Sequence, residues 1–326
     1  MVVGLIFMLC LFVEGMLPGF QEKADGPPIP PDAVVATVGE EPIFAREVQR
    51  WREKVARGKR LSPDAVPLLQ AQVLEEIVNR RLVLASAKRS GEAASQKELD
   101  QALADLKAEL AAQRKTLDEF LKEQSISEED LRRQLAWNAV WEKSLAKYAT
   151  PERLQKFFDA HRREFDGTEL SVSHILLVPP PDEKEDGKDE SIARAESLRQ
   201  DLLSGRITFA EAVEKYSAGP SRANGGKLGF IGRHGPMDNA FSRAAFALNP
   251  GEIGTPIRTQ FGVHLIRCDE IRPGTKQLAD VEPEVRDALA RELLEKLAQA
   301  ERPRTPVKYA DKFPHLDPKS RKLVKP

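Results

Sequence analysis

Two strand-like runs lie far apart in the chain, and each carries one histidine in an otherwise apolar row. In "SVSHILLVPPP" the residues that share a face with His174 are Val172, Leu176 and Val178, and in "TQFGVHLIRC" His264 alternates with apolar neighbours. Alternation with a period of two is typical of a β-strand. Two such strands fit neighbouring positions in one sheet. The imidazoles are then either hydrogen-bonded core groups or parts of one site.

The size and composition of the chain are those of a soluble globular protein with two or three domains. It has 326 residues, of which 41% are hydrophobic and 31% charged, and its formal net charge is -1. This balance gives no global argument for nucleic-acid binding. The last stretch, residues 302–326, is rich in lysine and arginine. We interpret it as a solvated, partly disordered end, with contact to a membrane surface or to nucleic acid as the alternative.

The first residues form an unbroken apolar run from Val2 to Val13. The run is too short to span a bilayer comfortably and has the length of a signal-peptide core, which favours export. Residues 1–20 are therefore interpreted as a signal peptide or a short membrane anchor, and residues 21–32 as a proline-rich linker. No Lys or Arg precedes the run, and no clear cleavage site follows it. If the run is removed, Cys268 is the remaining cysteine, which excludes an intramolecular disulfide and predicts a buried thiol.

Residues 33–168 are predicted to form a helical domain. The segment starts with "AVVATVGEEPIF", which reads as a strand, a turn and a returning strand, and helical periodicity follows. Hydroxyl groups that accept from the free amides of a first helical turn mark successive helix starts, at Ser62, Ser95, Thr116 and Ser127. Trp137 and Trp141 lie on an apolar helix stripe, for which core packing is favoured over a binding cradle.

A second amphipathic pattern covers residues 280–300, and "TPVKY" after it is a possible strand. A lone amphipathic helix must bury its apolar stripe, and the N-terminal helices are the available partner. We therefore expect residues 274–310 to pack on the N-terminal domain, with 311–326 as a basic tail. The segment between them, 169–273, is then an inserted domain.

This inserted segment carries five motifs in a fixed order. They are "FAEAVEKYS", "NGGKLGFI", "GPMDNAFSRAAFAL", "NPGEIGTPI" and "TQFGVHLI". With the two histidines that bracket them, they resemble the parvulin family of peptidyl-prolyl isomerases, and the flanks are similar to the SurA and PrsA class of exported chaperones. The resemblance implies an α+β fold: a parvulin domain, with a four-stranded, mainly antiparallel sheet and surrounding helices, is inserted in an all-helical chaperone domain.

The resemblance also implies a site. Its slot for the proline ring falls on Leu228, Met237, Phe241 and Phe261. Its polar group beside the slot falls on His174, His264 and Thr259. Rotation about an X-Pro amide is opposed by ~18–20 kcal/mol and makes no bond to carbon, so it needs no nucleophile. The histidines are expected to shape the site by hydrogen bonding rather than to transfer protons. Their spacing does not suit a metal-ligand set, and we expect neither a metal nor another cofactor.

One departure from the family pattern weakens the expected activity. The family places an acidic residue or a cysteine shortly after the "YS" pair, whereas this chain has Ala218 and Gly219. Asp238 lies near the slot residues but not at the family's position. In the loop 179–190, where phosphate-directed parvulins place basic residues, acids outnumber lysines, so a phosphorylated substrate would be repelled. The glycines at 225, 226 and 229 lack the Lys-Ser/Thr that a nucleotide site requires.

These observations predict an exported peptidyl-prolyl isomerase and chaperone, periplasmic or otherwise extracytoplasmic, with a possible membrane tether through its N-terminal segment. Its partners would be unfolded or extended polypeptides that contain X-Pro bonds, and no nucleic acid. Two alternatives stay open. One is a non-catalytic holdase that uses a degenerate parvulin domain to bind extended peptide, and the other is a cell-envelope scaffold with a fixed partner.

Overall fold

A computed structural model describes residues 29–56, 65–178, 188–259, 261–320 and 322–325. Within these residues the chain forms two compact units, one drawn from Met1–Tyr148 with Ala290–Pro326 and the other from Ala149–Leu289. The predicted helix start at Ser62, the apolar N-terminal run and most of the loop 179–190 lie outside the described residues. No helix in the described ranges is long and apolar enough to cross a membrane.

Among the described residues up to Tyr148, the elements are two strands and five helices. They are β1 (Val34–Val38), β2 (Glu41–Phe44), α1 (Ala45–Ala56), α2 (Ala65–Ser90), α3 (Gln96–Ala112), α4 (Leu117–Gln124) and α5 (Glu128–Tyr148). Capping boxes at Ser95 and Thr116 start α3 and α4. At the start of α5 the backbone N–H of Ser127 donates to Asp130, and the N–H of Asp130 donates to the Ser127 hydroxyl, at 3.2 and 3.1 Å. These three predicted helix starts are confirmed.

The rest of the chain alternates strands and helices before a final hairpin. In order, the elements are α6 (Pro151–Ala160), α7 (Arg162–Phe165), β3 (Glu169–Leu177), α8 (Lys188–Leu203), α9 (Phe209–Tyr216), a 3-10 turn (Pro220–Asn224), β4 (Lys227–Gly232), α10 (Asn239–Phe246), β5 (Ile257–Thr259), β6 (Gly262–Arg272), α11 (Leu278–Glu301), β7 (Val307–Tyr309), β8 (His315–Leu316) and β9 (Leu323–Val324). The predicted α+β fold class is confirmed.

The first unit combines its helices with a small sheet. Strand β1 pairs with β2 on one side and with β7 on the other, both antiparallel. Buried residues of β1 and β2, such as Val35 and Ile43, pack against the α2 residues Leu74 and Val78. The description of this unit as all-helical is therefore too narrow, because "AVVATVGEEPIF" and "TPVKY" complete one sheet although they lie at opposite ends of the chain. Trp137 is buried and stacked on Trp141.

The prediction of a solvated, partly disordered tail is wrong for the described residues beyond Ala310. Phe313 is only 4% exposed and packs in the core of the first unit. Strands β8 and β9 pair through His315 with Val324 and through Leu316 with Leu323. The average composition of the tail is lysine-rich, and it led to the prediction of disorder. The few apolar side chains in the tail are buried, and their burial stabilises its folded position.

The second unit is built on a sheet of order β4-β3-β6-β5 in which every pair is antiparallel. One face, with Ile175 and Leu265, is covered by α8 and α9. The other face, with Leu170, Val172 and Ile266, is covered by α10. Because side chains alternate along a strand, both His174 and His264 lie on the α10 face. The predicted row on β3 ends earlier than expected, since Val178 follows the strand and is exposed.

The second unit also begins earlier than its predicted boundary at residue 169 and ends later than residue 273. Helices α6 and α7 belong to it, because Arg163 donates to the carbonyl of Leu248 at 3.2 Å and Glu164 pairs with Arg233 at 3.0 Å. Their apolar spacing resembles that of the helices before them, so the pattern alone assigned them to the wrong side of the boundary.

Candidate functional site

The two histidines meet in the interior of the sheet. In the β3–β6 register Leu176 lies opposite His264 and His174 lies opposite Ile266, so the imidazoles are diagonal neighbours on adjacent strands. Their Nδ1 atoms are 3.1 Å apart, and the rings stack with centroids separated by 5.3 Å. Both side chains are buried. The pair is therefore a single hydrogen-bonded unit.

The Nε2 atom of each imidazole, which points away from the other ring, is hydrogen-bonded to a hydroxyl group. Thr259 Oγ1 lies 2.8 Å from Nε2 of His264, and Ser221 Oγ lies 2.7 Å from Nε2 of His174. The backbone N–H of Phe261 also donates to the Thr259 oxygen, at 3.1 Å. Four polar side chains thus form one continuous line, Thr259–His264–His174–Ser221.

Ser221 was missed by the sequence analysis. It lies in the 3-10 turn Pro220–Asn224 and is buried. The available signal was its position between the "YS" pair and the double glycine, where the chain must fold back toward β3. A serine in a polar turn carries no period that points to a partner, so only the folded turn brings its hydroxyl to the imidazole.

The four-residue line holds both imidazoles neutral. A hydrogen bond between two Nδ1 atoms needs one protonated and one free nitrogen, and the hydroxyls satisfy the outer nitrogens in either tautomer. Burial lowers the pKa of His174. Burial and then the neighbouring His174 lower the pKa of His264 to about 4, against a smaller opposing effect of the Asp238 carboxylate. At neutral pH the line carries no net charge.

An apolar cluster borders this line, and we call the surface of Leu228, Met237 and Phe241 within it the slot. The ring of Phe241 meets both imidazoles edge to face, with centroids 5.7 Å from His174 and 5.3 Å from His264. Phe241 is 4% exposed, whereas Leu228 and Met237 are half-buried and pack against the same cluster. Phe241 therefore forms the floor of the slot, and the other two offer accessible apolar surface.

Phe261 is not part of this cluster in the structure. Phe261 is 61% exposed, and it contributes to the site through the hydrogen bond from its backbone N–H to the Thr259 hydroxyl. Asp238 caps α10 by accepting from the backbone N–H of Ala240 at 2.8 Å. Its carboxylate is thereby committed to the helix start beside the slot.

Gly219 faces the histidine pair. A Cβ atom at this position would lie 3.5 Å from Nε2 of His174 and 3.5 Å from Cβ of Leu176, both ordinary van der Waals distances. The backbone of Gly219 is extended, with φ -77° and ψ 155°, so any residue fits its conformation. The position at which the family presents an acid or a thiol is thus next to the imidazole, and here it carries no functional group.

Gly226 lets two strands approach closely beside the site. The N–H of His174 donates to the Gly226 carbonyl at 2.9 Å, and Gly226 has a φ of +81°. A Cβ on Gly226 would lie only 2.5 Å from the His174 carbonyl oxygen. The second glycine of "NGGKLGFI" is therefore required sterically, because a side chain there would collide with the backbone of His174.

Known protein families match both parts of the chain. Residues 174–270 match the family described as the PPIC-type PPIase domain, and residues 1–145 match the SurA-like N-terminal domain. One segment of the chain thus matches the PPIC-type PPIase domain and another matches the SurA-like N-terminal domain, and the resemblance drawn from its motifs is confirmed.

Individual relatives bear the names of foldases and chaperones. The chain is 28% identical to the foldase protein PrsA of Caldanaerobacter subterraneus, over 71% of this chain and 64% of that protein. It is 27% identical to the chaperone SurA of Hahella chejuensis, over 76% and 59%. It therefore spans less than two thirds of the length of these relatives. The solved structure of PrsA from Bacillus anthracis is 21% identical, over 71% of this chain and 96% of that one, with a TM-score of 0.37.

Proposed function

We propose that this protein is a peptidyl-prolyl cis-trans isomerase and chaperone that assists the folding of exported polypeptides. The observation that carries the proposal is the apolar cluster that includes Leu228, Met237 and Phe241, in which the Phe241 ring meets both neutral imidazoles edge to face. The names of its relatives, foldase and chaperone, are in keeping with it. Its substrates would be extended chains with X-Pro bonds.

The slot suits the reaction because the twisted amide is less polar than the planar one. Twisting removes the resonance that makes the planar peptide bond strongly dipolar, so apolar walls and uncharged imidazoles stabilise the twisted form relative to either planar isomer. In the proposed role Leu228 and Met237 contact the proline ring and Phe241 supports it. His174 and His264, held by Ser221 and Thr259, shape the polar side. A tenfold acceleration needs only about 1.4 kcal/mol of this preference.

One observation favours a second candidate function, a non-catalytic holdase. Gly219 leaves the site without the acidic group or thiol of the family pattern, so binding of the proline segment would persist while rate acceleration is weak. The two functions differ in stoichiometry. A catalyst accelerates many molecules of substrate, whereas a holdase acts in proportion to its own amount.

The deciding experiment compares the two activities in the full chain and in Met237→Glu. We expect the full chain to accelerate proline-limited refolding at substoichiometric amounts. We expect Met237→Glu to lose this acceleration, because a carboxylate would face the proline ring, yet to keep suppression of aggregation if the first unit holds unfolded chains. If the unchanged protein acts only stoichiometrically, the holdase function stands and the catalytic proposal is wrong.

Gly219→Asp is expected to raise the isomerisation rate of a short Xaa-Pro peptide several-fold. The added Cβ would make only ordinary van der Waals contacts with His174 and Leu176, so the new carboxylate would have little steric cost and would reach toward the substrate amide. Protease-coupled peptide turnover measures the effect. Gly219→Asn is the matched control, since it has the same size without the charge. A rate for Gly219→Asp that is unchanged or lower would show that the substrate amide does not lie beside residue 219.

A phosphorylated substrate is expected to gain no advantage. The acidic loop 179–190 of the sequence would repel a phosphate next to the proline. The check is the ratio of kcat/KM for a phospho-Ser-Pro peptide to that for its Glu-Pro and Ser-Pro counterparts. Faster turnover of the phosphopeptide would show that this loop does not face the residue before proline.

We further propose that the protein works outside the cytoplasm, as the apolar run from Val2 to Val13 and the proline-rich linker indicate. The functional isomerase module would then be the second unit rather than the narrower segment 169–273. Cell fractionation with a tag after Pro326 tests the location, and recovery of the tagged protein in the cytoplasm would contradict it.

A further inference from the structure

The tail of the first unit forms an ordered basic hairpin, defined here as the described residues from 311 to 325. It is anchored by buried Phe313 and Leu316 and closed by the pairing of β8 with β9. Its basic residues outnumber its acids, Asp311 and Asp317; among the described residues they are Lys312, Lys319, Lys322 and Lys325. A folded hairpin presents such charges as a fixed surface, which a disordered tail would not do.

Several of these charges are available to a partner. Lys312, Lys319 and Lys322 are exposed, and within the described residues none of them forms an ion pair with a carboxylate. The Asp317 carboxylate accepts from the backbone N–H groups of Lys319 and Ser320, at 3.1 and 2.6 Å, and so holds the turn between the strands. The lysine ammonium groups themselves stay free.

Acidic residues near the hairpin already have cationic partners. Leu316 borders a cavity lined by Glu75 and Glu76 of α2. Glu75 pairs with Arg302 at 2.8 Å, and Glu76 pairs with Arg80 at 3.0 Å. The other charged residues lining this cavity are Arg291 and Glu295 of α11. Neither of the two α2 carboxylates is therefore left to neutralise Lys312, Lys319 or Lys322.

The outward face of the hairpin mixes positive charge with an exposed aliphatic side chain. Lys322 directly precedes β9 and lies two residues from Val324, so alternation along the extended chain puts both on one side, and Val324 is 39% exposed. The aromatic ring on this side, His315, is already stacked on Tyr309 at a centroid distance of 4.4 Å. Nucleic-acid surfaces use free aromatic rings for stacking, whereas lipid interfaces are met by cations beside aliphatic groups.

The hairpin leaves the sheet beside the point at which the N-terminal linker enters it. Strand β7 runs antiparallel to β1, and the N–H of Ala310 donates to the Val35 carbonyl at 2.9 Å. The basic residues therefore follow from the same end of the sheet to which the linker, and the apolar run before it in the sequence, are attached. A tether at that end would hold the hairpin close to a bilayer.

We propose that the basic hairpin docks the first unit on an anionic phospholipid surface. Each lysine gains electrostatic attraction near anionic headgroups, and Val324 enters the headgroup boundary between them. The attraction is screened by salt, so the contact is peripheral and reversible. It orients the first unit at the membrane and is independent of the isomerase site.

The test is flotation of the full chain with phosphatidylcholine vesicles, with and without phosphatidylglycerol, at low and high salt. We expect phosphatidylglycerol to strengthen binding at least about tenfold at low salt, and we expect salt to remove this gain. The double variant Lys319→Glu/Lys322→Glu should lose the gain. Lys107→Glu/Lys122→Glu changes the net charge equally on exposed positions of α3 and α4 and should keep it.

Several outcomes would overturn the proposal. Equal binding to both vesicle types would assign all membrane contact to the apolar run, and equal loss in both double variants would reduce the effect to net charge. Binding of duplex DNA that competes with the anionic vesicles and is lost in the same variant would assign the hairpin to nucleic acid. Unchanged melting midpoints of the variants check that the fold is retained. Val324→Ser leaves every charge in place and should still weaken binding to the anionic vesicles, because it removes the aliphatic contact. Unchanged binding of Val324→Ser would show that Val324 does not enter the headgroup boundary.

Discussion

Gly226→Ala is expected to disrupt the proposed isomerase site and to destabilise the second unit by roughly 3 kcal/mol or more. The added Cβ would lie 2.5 Å from the His174 carbonyl oxygen and 2.9 Å from a methyl group of Val213, and the φ of +81° is unfavourable for alanine. Relief of the backbone clash requires β3 to move at His174. Such a shift would break the Nδ1–Nδ1 contact with His264 or the bond to Ser221.

Gly229→Ala separates this clash from backbone strain alone. Gly229 has a similar φ, +77°, but nothing lies within 4 Å of its added Cβ. We expect this control to cost about 1–2 kcal/mol and to keep its activity. Urea unfolding and peptide turnover of both variants provide the comparison. Equal losses in the two variants would show that the close approach to His174 has no role in the site.

Acidification from about pH 6.5 toward pH 4 is expected to remove about 3 kcal/mol of stability through His264 alone. Its pKa in the folded protein is about 4, lowered chiefly by burial and next by His174, against an unfolded value of 6.5. A lowered folded pKa means that the unfolded chain binds the proton more tightly. The stability is therefore complete above the unfolded pKa and is lost as the pH falls toward the folded one.

The hydrogen-bonded line adds a geometric reason for this loss. Once both imidazoles of His174 and His264 are protonated, all four of their ring nitrogens are donors, so the 3.1 Å Nδ1–Nδ1 bond cannot persist. Activity should fall over the same pH range because the neutral line shapes the slot.

The measurement is the free energy of unfolding of the full chain and of His264→Gln at several pH values. Carboxylates elsewhere titrate identically in both proteins, so the difference between their pH slopes isolates the imidazole. We expect the slope between pH 6.5 and 4 to be clearly smaller in the variant. Parallel curves would contradict a buried, neutral His264.

Much of the local structure was predictable because it depends on neighbours in sequence. The hydroxyls of Ser95 and Thr116 accept hydrogen bonds from the backbone N–H three residues later in the chain. Their role in starting a helix could therefore be predicted from sequence spacing. The strand period placed His174 and His264 on buried faces, and the buried thiol of Cys268 was also expected. The clustering of Leu228 and Met237 with Phe241, whose ring contacts both histidines, was accessible only through the motifs of a known family.

Other features followed no local pattern. Ser221 reaches His174 because a 3-10 turn folds back on β3, and helices α6 and α7 join the second unit through the contacts of Arg163 and Glu164. Phe313 is buried within a segment whose average composition is polar and basic. In each case the deciding contact joins residues far apart in the chain.

By itself, the sequence determined where α3, α4 and α5 begin, that β3 and β6 carry their histidines on buried faces, and that a parvulin-like segment lies between two parts of another domain. The tertiary structure alone decided the hydrogen-bond line from Thr259 to Ser221, the limits of the second unit and the ordered basic hairpin. The reason is physical. Periodicity and capping depend on interactions within a few residues, whereas a buried polar network and a docked tail depend on which distant surfaces come together and exclude water.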